Sequence, residues 1–449
     1  MPMIGSLEWK KLPAAFRACL LGLGSGILLT PFSSCRAGTH VSISPAGEGM
    51  VSASPAKAQA ATFWEAMENA EFDWTGSRTI EGAEAAFAGS LNAVMGGMWA
   101  RAEDLARKAL DEAKDPVLAA KAGDLLFQIL FHQSKWEDLS ALRAKGGFTL
   151  PEGNTILLAE AFRGTPEERY LFPESPVRRP ISLTWGGNPV VEVEVNGRRR
   201  KFWIDTGAGL SVIASDAAED CGVASLAAGE AEARAATGRN VGVRAAAIRE
   251  LKIGGLEIRN HPVMIIDKRN LEVKLLGLVR LLKIDGLIGW NAIRHIDMEI
   301  DYGGKQVILR KPVKRDASER RLVWLGQPVV RLHTGDGRPV LFGLDTGSRA
   351  TSLTETILGK IDAAAAGEKS AATWSAGGSV RARTRFVSGV ALVLGGFRFD
   401  FEKIAVTGDK RAVVVRLDGI IGSDILQDTR LSLDAANGRF EIERGGKAD

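Results

Sequence analysis

The sequence predicts a mainly β protein in which two tandem β lobes follow an α-helical module. Three observations support this fold class. Residues 61–165 are rich in Ala and Leu with helical periodicity, residues 180–445 contain short β-type runs between Gly-containing turns, and that second region repeats itself. The chain has 449 residues, more than one ordinary domain, and its 45% hydrophobic and 25% charged content is typical of globular proteins.

Residues 1–37 have the pattern of a secretory signal peptide. Basic residues precede an apolar stretch over residues 18–29, and small residues follow as far as Ala37. This order predicts an exported protein of the periplasm or cell envelope. Two processing routes stay open: Phe32–Cys35 resembles a bacterial lipobox, which would place a lipid anchor on Cys35, and plain cleavage near Ala37 is the alternative. We expect membrane attachment only through that lipid, because no later apolar run reaches the ~18 residues of a membrane helix.

The next two segments differ in composition and periodicity. Residues 38–60 are rich in Ala, Ser, Gly and Pro without periodicity, which predicts a flexible linker. Residues 61–165 are helical and carry an internal offset of 34, at which Ala102–Leu105 is matched by Trp136–Leu139. Such a helix–turn–helix period resembles tetratricopeptide repeats, and a plain helical hairpin bundle is the alternative. We expect this module to pack on its neighbour or to hold a protein partner.

From residue 180 onward, strand and turn signals alternate. Val190–Val195 alternates in polarity, Asn196-Gly197 is a two-residue hairpin signal, and an apolar strand then leads to Asp205. A later stretch repeats this order and leads to Asp345. The polypeptide is therefore predicted to return twice to the core just before an Asp.

The two halves match at nearly constant offsets, from 141 down to 133 residues. The matched landmarks, first copy then second, are Pro189 and Pro328, Asp205 and Asp345, Gly238 and Gly378, Gly254 and Gly395, Asp285–Gly289 and Asp418–Gly422, and Asp301 and Asp434. Six landmarks in one order predict two copies of one β domain, a first lobe over residues 180–312 and a second over 320–445.

Each copy carries two signatures that point to one chemistry. Asp-Thr-Gly ends an apolar strand at Asp205–Gly207 and Asp345–Gly347, and two aliphatic residues with Gly follow at Leu287–Gly289 and Ile420–Gly422. This pattern resembles the retropepsin and pepsin group of aspartic proteases across most of residues 180–445. The resemblance implies two retropepsin-like acid-protease lobes that form a pseudo-dimer and contribute one catalytic Asp each.

Asp205 and Asp345 are accordingly the catalytic candidates. Two carboxylates held a few ångströms apart share one proton, so one can accept a proton from water while the other donates one to the peptide carbonyl. We expect the Thr hydroxyls to bond across to the other lobe and the glycines to allow a sharp turn. We also expect the Ser348 hydroxyl to donate a hydrogen bond to the Asp345 carboxylate, which would keep Asp345 ionised and Asp205 protonated. The residues predicted to support the dyad are Thr206, Gly207, Thr346, Gly347 and Ser348.

The resemblance also implies hairpins that close over an extended peptide or protein substrate, which binds as an added strand. Small polar stretches follow each Asp at corresponding places. The flap and substrate-binding candidates are Thr237, Gly238, Arg239, Trp374, Gly377 and Gly378.

Other chemistries find little support in the sequence. With five His, no His-Glu-x-x-His and no Cys cluster, we expect neither a metal nor another cofactor. The basic stretch Arg198–Lys201 lacks interleaved aromatic residues and adjoins a hairpin turn, so we expect no nucleic-acid binding. Retropepsins usually carry an ion pair between an Asp after the first signature and an Arg after the second. Gly209 and Arg349 stand at the first place and Trp290 and Ser423 at the second, so that pair is absent.

The sequence therefore predicts an aspartic-type endopeptidase, a hydrolase that acts through the pair Asp205 and Asp345. The alternative from another class is a catalytically silent retropepsin-fold protein that binds peptides or assembles in the cell envelope. A third hypothesis assigns the main function to the helical module, as a docking unit. Retention of Asp, Thr and Gly in both copies favours the enzyme.

Overall fold

The computed structural model describes residues 41–46, 60–74, 79–146, 153–184, 186–234, 240–275, 279–315, 320–375 and 378–445. These residues belong to one compact unit, residues 39–449. The predicted signal peptide and Cys35 lie outside the described residues. None of the described helices is long and apolar enough to cross a membrane.

The helices and strands follow one another in two blocks, helices first. The helices are α1 Phe63–Glu68, α2 Gly82–Met95, α3 Trp99–Glu112, α4 Pro116–His132, α5 Trp136–Lys145, α6 Gly153–Phe162, α7 Ser215–Asp220 and α8 Trp290–Ile293. The strands up to the end of the first lobe are β1 Val41–Pro45, β2 Arg169–Leu171, β3 Val177–Leu183, β4 Pro189–Val195, β5 Arg198–Ile204, β6 Ser211–Ala214, β7 Ser225–Arg234, β8 Asn240–Ile253, β9 Leu256–Ile266, β10 Glu272–Leu275, β11 Val279–Lys283, β12 Gly286–Ile288, β13 Asp297–Asp301 and β14 Gln306–Arg310. Those of the second lobe are β15 Leu322–Trp324, β16 Pro328–Thr334, β17 Pro339–Leu344, β18 Ser352–Thr354, β19 Ala364–Ser375, β20 Gly378–Ser388, β21 Val390–Leu394, β22 Phe397–Phe401, β23 Ile404–Thr407, β24 Lys410–Ala412, β25 Val415–Leu417, β26 Gly419–Ile421, β27 Thr429–Asp434 and β28 Arg439–Arg444. The prediction of a mainly β chain with a helical N-terminal part is confirmed.

Helix-capping residues that are visible in the sequence mark where helices of the N-terminal block begin. Asp115 caps α4 by accepting hydrogen bonds from the Val117 and Leu118 backbone N–H groups at 3.2 and 3.4 Å, and Pro116 occupies the first turn, where a missing N–H costs nothing. α2 and α4 begin 34 residues apart, at Gly82 and Pro116. The likeness to tetratricopeptide repeats stays a prediction.

Two large sheets form the rest of the molecule. The first runs β28-β27-β13-β14-β3-β4-β5-β12-β6-β9-β8-β7, and the second runs β1-β22-β21-β16-β17-β26-β18-β23-β20-β19. The hairpin between β4 and β5 turns at Asn196 and Gly197, whose φ angles of 48° and 81° are those that this dipeptide favours. A buried core that includes helices and both sheets joins these parts.

The same local topology surrounds both Asp-bearing strands. In the first lobe β5 pairs in parallel with β12, which pairs antiparallel with β6. In the second lobe β17 pairs in parallel with β26, which pairs antiparallel with β18. The Leu-Ile-Gly and Ile-Ile-Gly strands therefore run beside the strands that lead to Asp205 and Asp345, as their repeated positions predict.

The lobes are joined by strands as well as by side chains. β27, which belongs to the second copy in sequence, pairs antiparallel with β13 of the first copy, with Met298 opposite Leu433 and Ile300 opposite Leu431. Because Met298 and Ile300 correspond to Leu431 and Leu433 at the repeat offset of 133, this pairing has local two-fold symmetry.

The flexible linker predicted for residues 38–60 is wrong over Val41–Pro45. These residues form β1, which pairs antiparallel with β22 at the edge of the second sheet. Val41 and Ile43 alternate along the strand and pack against the core. An edge strand offers unpaired N–H and C=O groups, and a five-residue segment with this alternation satisfies them. Its partner lies far along the chain, so no local pattern reveals the pairing.

Candidate active site

The two Asp-Thr-Gly stretches meet, and their Thr side chains hold them together. The Thr206 hydroxyl donates to the Leu344 carbonyl at 3.0 Å, and the Thr346 hydroxyl donates to the Ile204 carbonyl at 2.8 Å. Each hydroxyl also accepts the other Thr's backbone N–H, at 3.0 and 3.1 Å. Both Thr residues are fully buried. Four buried hydrogen bonds thus fix the position of one loop against the other.

Gly207 and Gly347 provide room for the opposite carboxylate. A Cβ atom on Gly207 would lie 2.6 Å from the Asp345 Oδ1, and one on Gly347 would lie 2.6 Å from the Asp205 Oδ1. Neither glycine is among the residues with positive φ. The requirement for glycine therefore comes from close approach between lobes, and the sharp turn expected from the sequence is not the reason.

The carboxyl groups of Asp205 and Asp345 each lie against the glycine of the opposite loop, and each influences the pKa of the other. Burial, and then the charge of Asp345, raises the pKa of Asp205 to about 7. Burial also raises the pKa of Asp345, but the backbone N–H groups of Ser348 and Gly347 and the positive charge of Lys410 oppose that rise. The shared proton consequently belongs on Asp205, and Asp345 is the ionised partner.

The hydroxyl of Ser348 does not support the dyad in the way that the sequence suggested. Its Oγ donates to the Ala350 carbonyl at 3.1 Å, whereas its backbone N–H donates to the Asp345 Oδ1 at 2.9 Å. The equivalent backbone group in the first lobe, the Ala208 N–H, donates to the Asp205 Oδ1 at 3.2 Å. A hydroxyl has one proton to donate, and a carbonyl two residues away takes it. The asymmetry expected for the pair agrees in direction, but its cause includes Lys410 and not this hydroxyl.

The glycines of the second signature let β12 and β26 pass close behind the dyad loops. A Cβ on Gly286 would lie 2.3 Å from the Val212 carbonyl oxygen, and one on Gly289 would lie 2.5 Å from the Leu210 carbonyl carbon. Gly419 and Gly422 meet the equivalent second-lobe backbone at 2.4 Å. Larger residues at these positions would push the dyad loops away from their partner strands.

A repeated polar pair, which sequence reasoning missed, locks each dyad loop to its second signature. In the first lobe the Ser211 hydroxyl donates to the Asn291 Oδ1 at 3.0 Å and accepts the Gly289 N–H at 3.0 Å. In the second lobe the Thr351 hydroxyl donates to the Asp424 Oδ1 at 2.6 Å and accepts from the backbone of the second-signature Gly at 3.1 Å. Both pairs follow the repeat offsets of 140 and 133, which is the signal that could have revealed them. They connect the segments that the missing ion pair would have connected.

The first-lobe lock extends into a buried network behind the dyad loop. The His261 Nε2 lies 2.7 Å from the Ser211 Oγ, and the His261 Nδ1 lies 2.5 Å from a Glu168 carboxylate oxygen. Because the Ser211 proton is already donated to Asn291, the Ser211 oxygen accepts from the Nε2 of His261. Burial raises the pKa of Glu168, but the charge and hydrogen bond of His261 outweigh it and hold that pKa below its usual value.

A second contact between lobes comes from Asn188. Its side-chain N–H₂ group donates to the Thr346 and Gly347 carbonyls at 3.0 and 2.9 Å. A first-lobe residue therefore fixes the backbone of the second-lobe dyad loop. Nothing in its own sequence context identifies this role.

Residues 191–283, from β4 to the end of β11, match the family model described as "gag-polyprotein putative aspartyl protease". The matched segment contains Asp205–Gly207. The first lobe is retropepsin-like. No curated protein matches the chain. A crystal structure of a retropepsin-like aspartic protease from Rickettsia conorii has 20% sequence identity to the chain, covers 32% of this chain and 92% of its own, and gives a TM-score of 0.22.

Long hairpins follow the Asp-Thr-Gly stretch in both lobes, in the regions where the sequence predicts flaps. In the retropepsin-like first lobe β7 pairs with β8, and in the second β19 pairs with β20. Trp374 lies opposite Ser379, and Gly378 begins β20 opposite Ser375. The flap candidates Thr237, Gly238, Arg239 and Gly377 lie outside the described residues.

The helical block packs on the first-lobe hairpin. Leu158 and Phe162 of α6 share a buried apolar cluster with Leu210, which follows the dyad loop, and with Val243 and Ala245 of β8. This contact joins the β7–β8 hairpin to the N-terminal helices. In the parts of the chain that the structure describes, no group of three or more His, Cys, Asp or Glu side chains could hold a metal ion.

Proposed function

We propose that the chain is an aspartic endopeptidase in which Asp205 and Asp345 act together on one water molecule. The observation that supports this best is the pair of buried carboxyl groups, each packed against the glycine of the opposite Asp-Thr-Gly loop, with the pKa of Asp205 raised to about 7 and Asp345 the more acidic partner. Such a pair offers a base and an acid at the same place and the same pH.

The proton transfers of the reaction return Asp205 and Asp345 to their starting protonation states. Asp345 accepts a proton from water as the water oxygen attacks the peptide carbonyl carbon, and Asp205 donates its proton to the carbonyl oxygen. The tetrahedral diol then returns a hydroxyl proton to Asp205, the C–N bond breaks, and Asp345 gives its proton to the leaving nitrogen. The products are a carboxylic acid and an amine, and the dyad again holds one proton, on Asp205.

The hairpins β7–β8 and β19–β20 support an extended polypeptide as the substrate. A peptide lying between two hairpins can pair through its backbone, so that recognition depends on the main chain and cleavage tolerates varied side chains. The buried Thr206 and Thr346 bonds support catalysis by keeping both carboxylates in place during the reaction.

The test is cleavage of an unstructured polypeptide by the purified full chain between pH 3 and pH 8, with products identified by mass. Asp205→Asn and Asp345→Asn should each remove nearly all turnover, and the double variant should add little, because a dyad acts as a unit. The control is Asp220→Asn, an exposed carboxylate paired with Arg200. Binding of the polypeptide without cleavage at any pH would favour the catalytically silent alternative.

We also propose export of the protein, on the pattern of residues 1–37 alone. Expression in a bacterial host with Cys35→Ser as the matched variant separates the two routes. Loss of membrane association in Cys35→Ser would indicate lipidation, and an N-terminus near Ala37 in both proteins would indicate plain cleavage.

A further inference from the structure

Two adjoining cavities lie between the helical block and the lobes. The first, about 110 Å³, is lined by residues of α4, of the Asp205 loop and of the segment before β16. The second, about 350 Å³, is lined by residues of α2, α3, α8 and the start of β15. The four residues in both walls are His132, Trp290, Arg294 and Trp324.

Arg294 is a buried cation without a carboxylate partner in these walls. It is 9% exposed, and neither cavity is lined by an Asp or Glu among the described residues. One terminal nitrogen, Nη2, donates to the Ser134 hydroxyl at 2.9 Å. Its Nε has no hydrogen-bond acceptor in the described part of the chain, where Arg294 makes no ion pair. A buried guanidinium in this state is costly unless an anion joins it.

The nearby titratable groups leave that positive charge in place. The carboxylate of Glu168 acts on Arg294 from outside the walls, but it already lies 2.5 Å from His261 and accepts the Tyr170 hydroxyl. Burial, and then the charge of Arg294, lowers the pKa of His295 to about 4, so this ring is neutral near pH 7. Burial likewise lowers the pKa of His132. In the second wall Arg320 adds another cation, whose Nη atoms donate to the carbonyls of residues 435 and 436.

The rest of the second cavity suits an apolar or aromatic group. His132, Trp99 and Trp324 form one cluster of mutually contacting rings, with the His132 ring centroid 4.2 Å from that of Trp99 and 4.3 Å from that of Trp324, and the two indole centroids 5.8 Å apart. The indole N–H of Trp290 is buried and has no acceptor among the described residues. A ligand with an acceptor anion at one end and an apolar body would complement both features.

The first cavity places this site next to the Asp205 loop. Its wall contains Gly207 and Gly209 of the Asp205 loop together with Gln327 and Pro328 of the second lobe. Its volume corresponds to roughly three or four water molecules, enough for a carboxylate and little more. A chain that ended at Arg294 would therefore have its last residues beside the Asp205 loop.

We propose that the two cavities bind the carboxyl-terminal end of a peptide, with Arg294 as the anchor of the terminal carboxylate and the ring cluster of Trp99, His132 and Trp324 as the surface on which an apolar terminal side chain packs. The proposal rests on the proposed peptidase function and narrows its substrate class to chains with a free carboxyl end close to the scissile bond. It assigns a role to the helical block, which supplies one wall.

The test compares two short peptides of one sequence with an apolar last residue, one ending in a free carboxylate and one in an amide. Binding to the full-length Asp205→Asn protein is measured by calorimetry, so that no turnover intervenes. The free acid should bind at least about tenfold more tightly than the amide, as expected for a charge-assisted bond. Equal binding of the two peptides would overturn the proposal without any further variant.

The variants Arg294→Gln and Arg294→Lys identify the anchor. The acid-to-amide ratio should fall to about one in Arg294→Gln and stay above one in Arg294→Lys, with folding of each checked by circular dichroism. Arg269→Gln, an Arg that is 78% exposed and pairs with Asp267, should keep the full ratio. An unchanged ratio in folded Arg294→Gln would overturn the assignment.

The carboxylate bound at Arg294 could also belong to a free small acid, and benzoate is the probe for that ligand. Arg294-dependent benzoate binding together with equal binding of the two peptides would assign the site to a free small acid and overturn the peptide end. The two proposals fail separately. Cleavage without an acid-to-amide preference contradicts only this inference, and preference without cleavage contradicts only the peptidase.

Discussion

Gly207 is the position at which a single methyl group should separate catalysis from folding. A Cβ built there lies 2.6 Å from both the Cγ and the Oδ1 of Asp345, whereas comfortable contacts between carbon atoms are about 3.5–4.0 Å. Gly207→Ala therefore forces the Asp345 carboxylate to move by about 1 Å or the dyad loop to shift by a similar amount. Displacement of a reacting group by that distance costs about a hundredfold in rate.

The expected result is a fall in kcat of about a hundredfold or more with a loss of only about 1–3 kcal/mol in unfolding free energy, the usual cost of overpacking. The assay is steady-state cleavage of an unstructured polypeptide, paired with thermal unfolding. Gly347→Ala should behave alike, because its Cβ would lie 2.6 Å from both carboxylate oxygens of Asp205.

The matched control is Gly359→Ala. This exposed glycine has no positive φ, and a Cβ there meets nothing within 4 Å. It should leave kcat and stability near the wild-type values. A kcat for Gly207→Ala within about twofold of wild type would refute the reasoning, since the site would then tolerate the displacement that the geometry requires.

Three further predictions concern charge, the hydroxyl and the hairpin. The pKa of Asp205 is about 7 in the folded protein, above its unfolded value near 4, so its contribution to stability is present below about pH 4 and is lost as the pH rises towards 7. Asp205→Asn should thus have a higher free energy of unfolding than wild type at pH 8, by at most about 4 kcal/mol, and should melt at a higher temperature there, with no gain at pH 4. Equal differences in melting temperature at both pH values would contradict this. Ser348→Ala should leave both limbs of the pH–rate profile in place, because the hydroxyl bonds the Ala350 carbonyl, and a shifted acid limb would show that it reaches the dyad. Phe162→Ala should lower the free energy of unfolding by about 3–5 kcal/mol and should speed amide hydrogen exchange in β8 but not in β20. An equal increase in exchange in both hairpins would mean that α6 does not restrain the first-lobe hairpin.

Much of the candidate site could be predicted because it depends on local sequence and on repetition. Asp205 and Asp345 each follow an apolar strand, and a strand that leads into Asp-Thr-Gly is visible without a partner. Asn196-Gly197 specifies its own turn through backbone preferences. The constant offset between the copies adds what one copy alone lacks, namely that two such places exist and correspond.

Other features depend on groups that are remote in sequence. β1 is a strand only because the edge of β22 is there to receive it. Ser211 meets Asn291, and His261 meets Glu168, across 80 and 93 residues. The hydroxyl of Ser348 donates to the Ala350 carbonyl, an acceptor whose position is set by the path of the loop backbone.

The sequence by itself determined the mainly β class, the duplication and the two Asp-Thr-Gly loops, because periodicity, turn chemistry and repeat spacing are written along the chain. Only the tertiary structure decided why Gly207 must be glycine, why the pKa of Asp205 is higher than that of Asp345, and that Arg294 lies in a cavity beside the dyad loop. Each of these depends on distance and burial among residues from different segments. Electrostatic and steric energies vary steeply with both, so the order of residues alone does not set them.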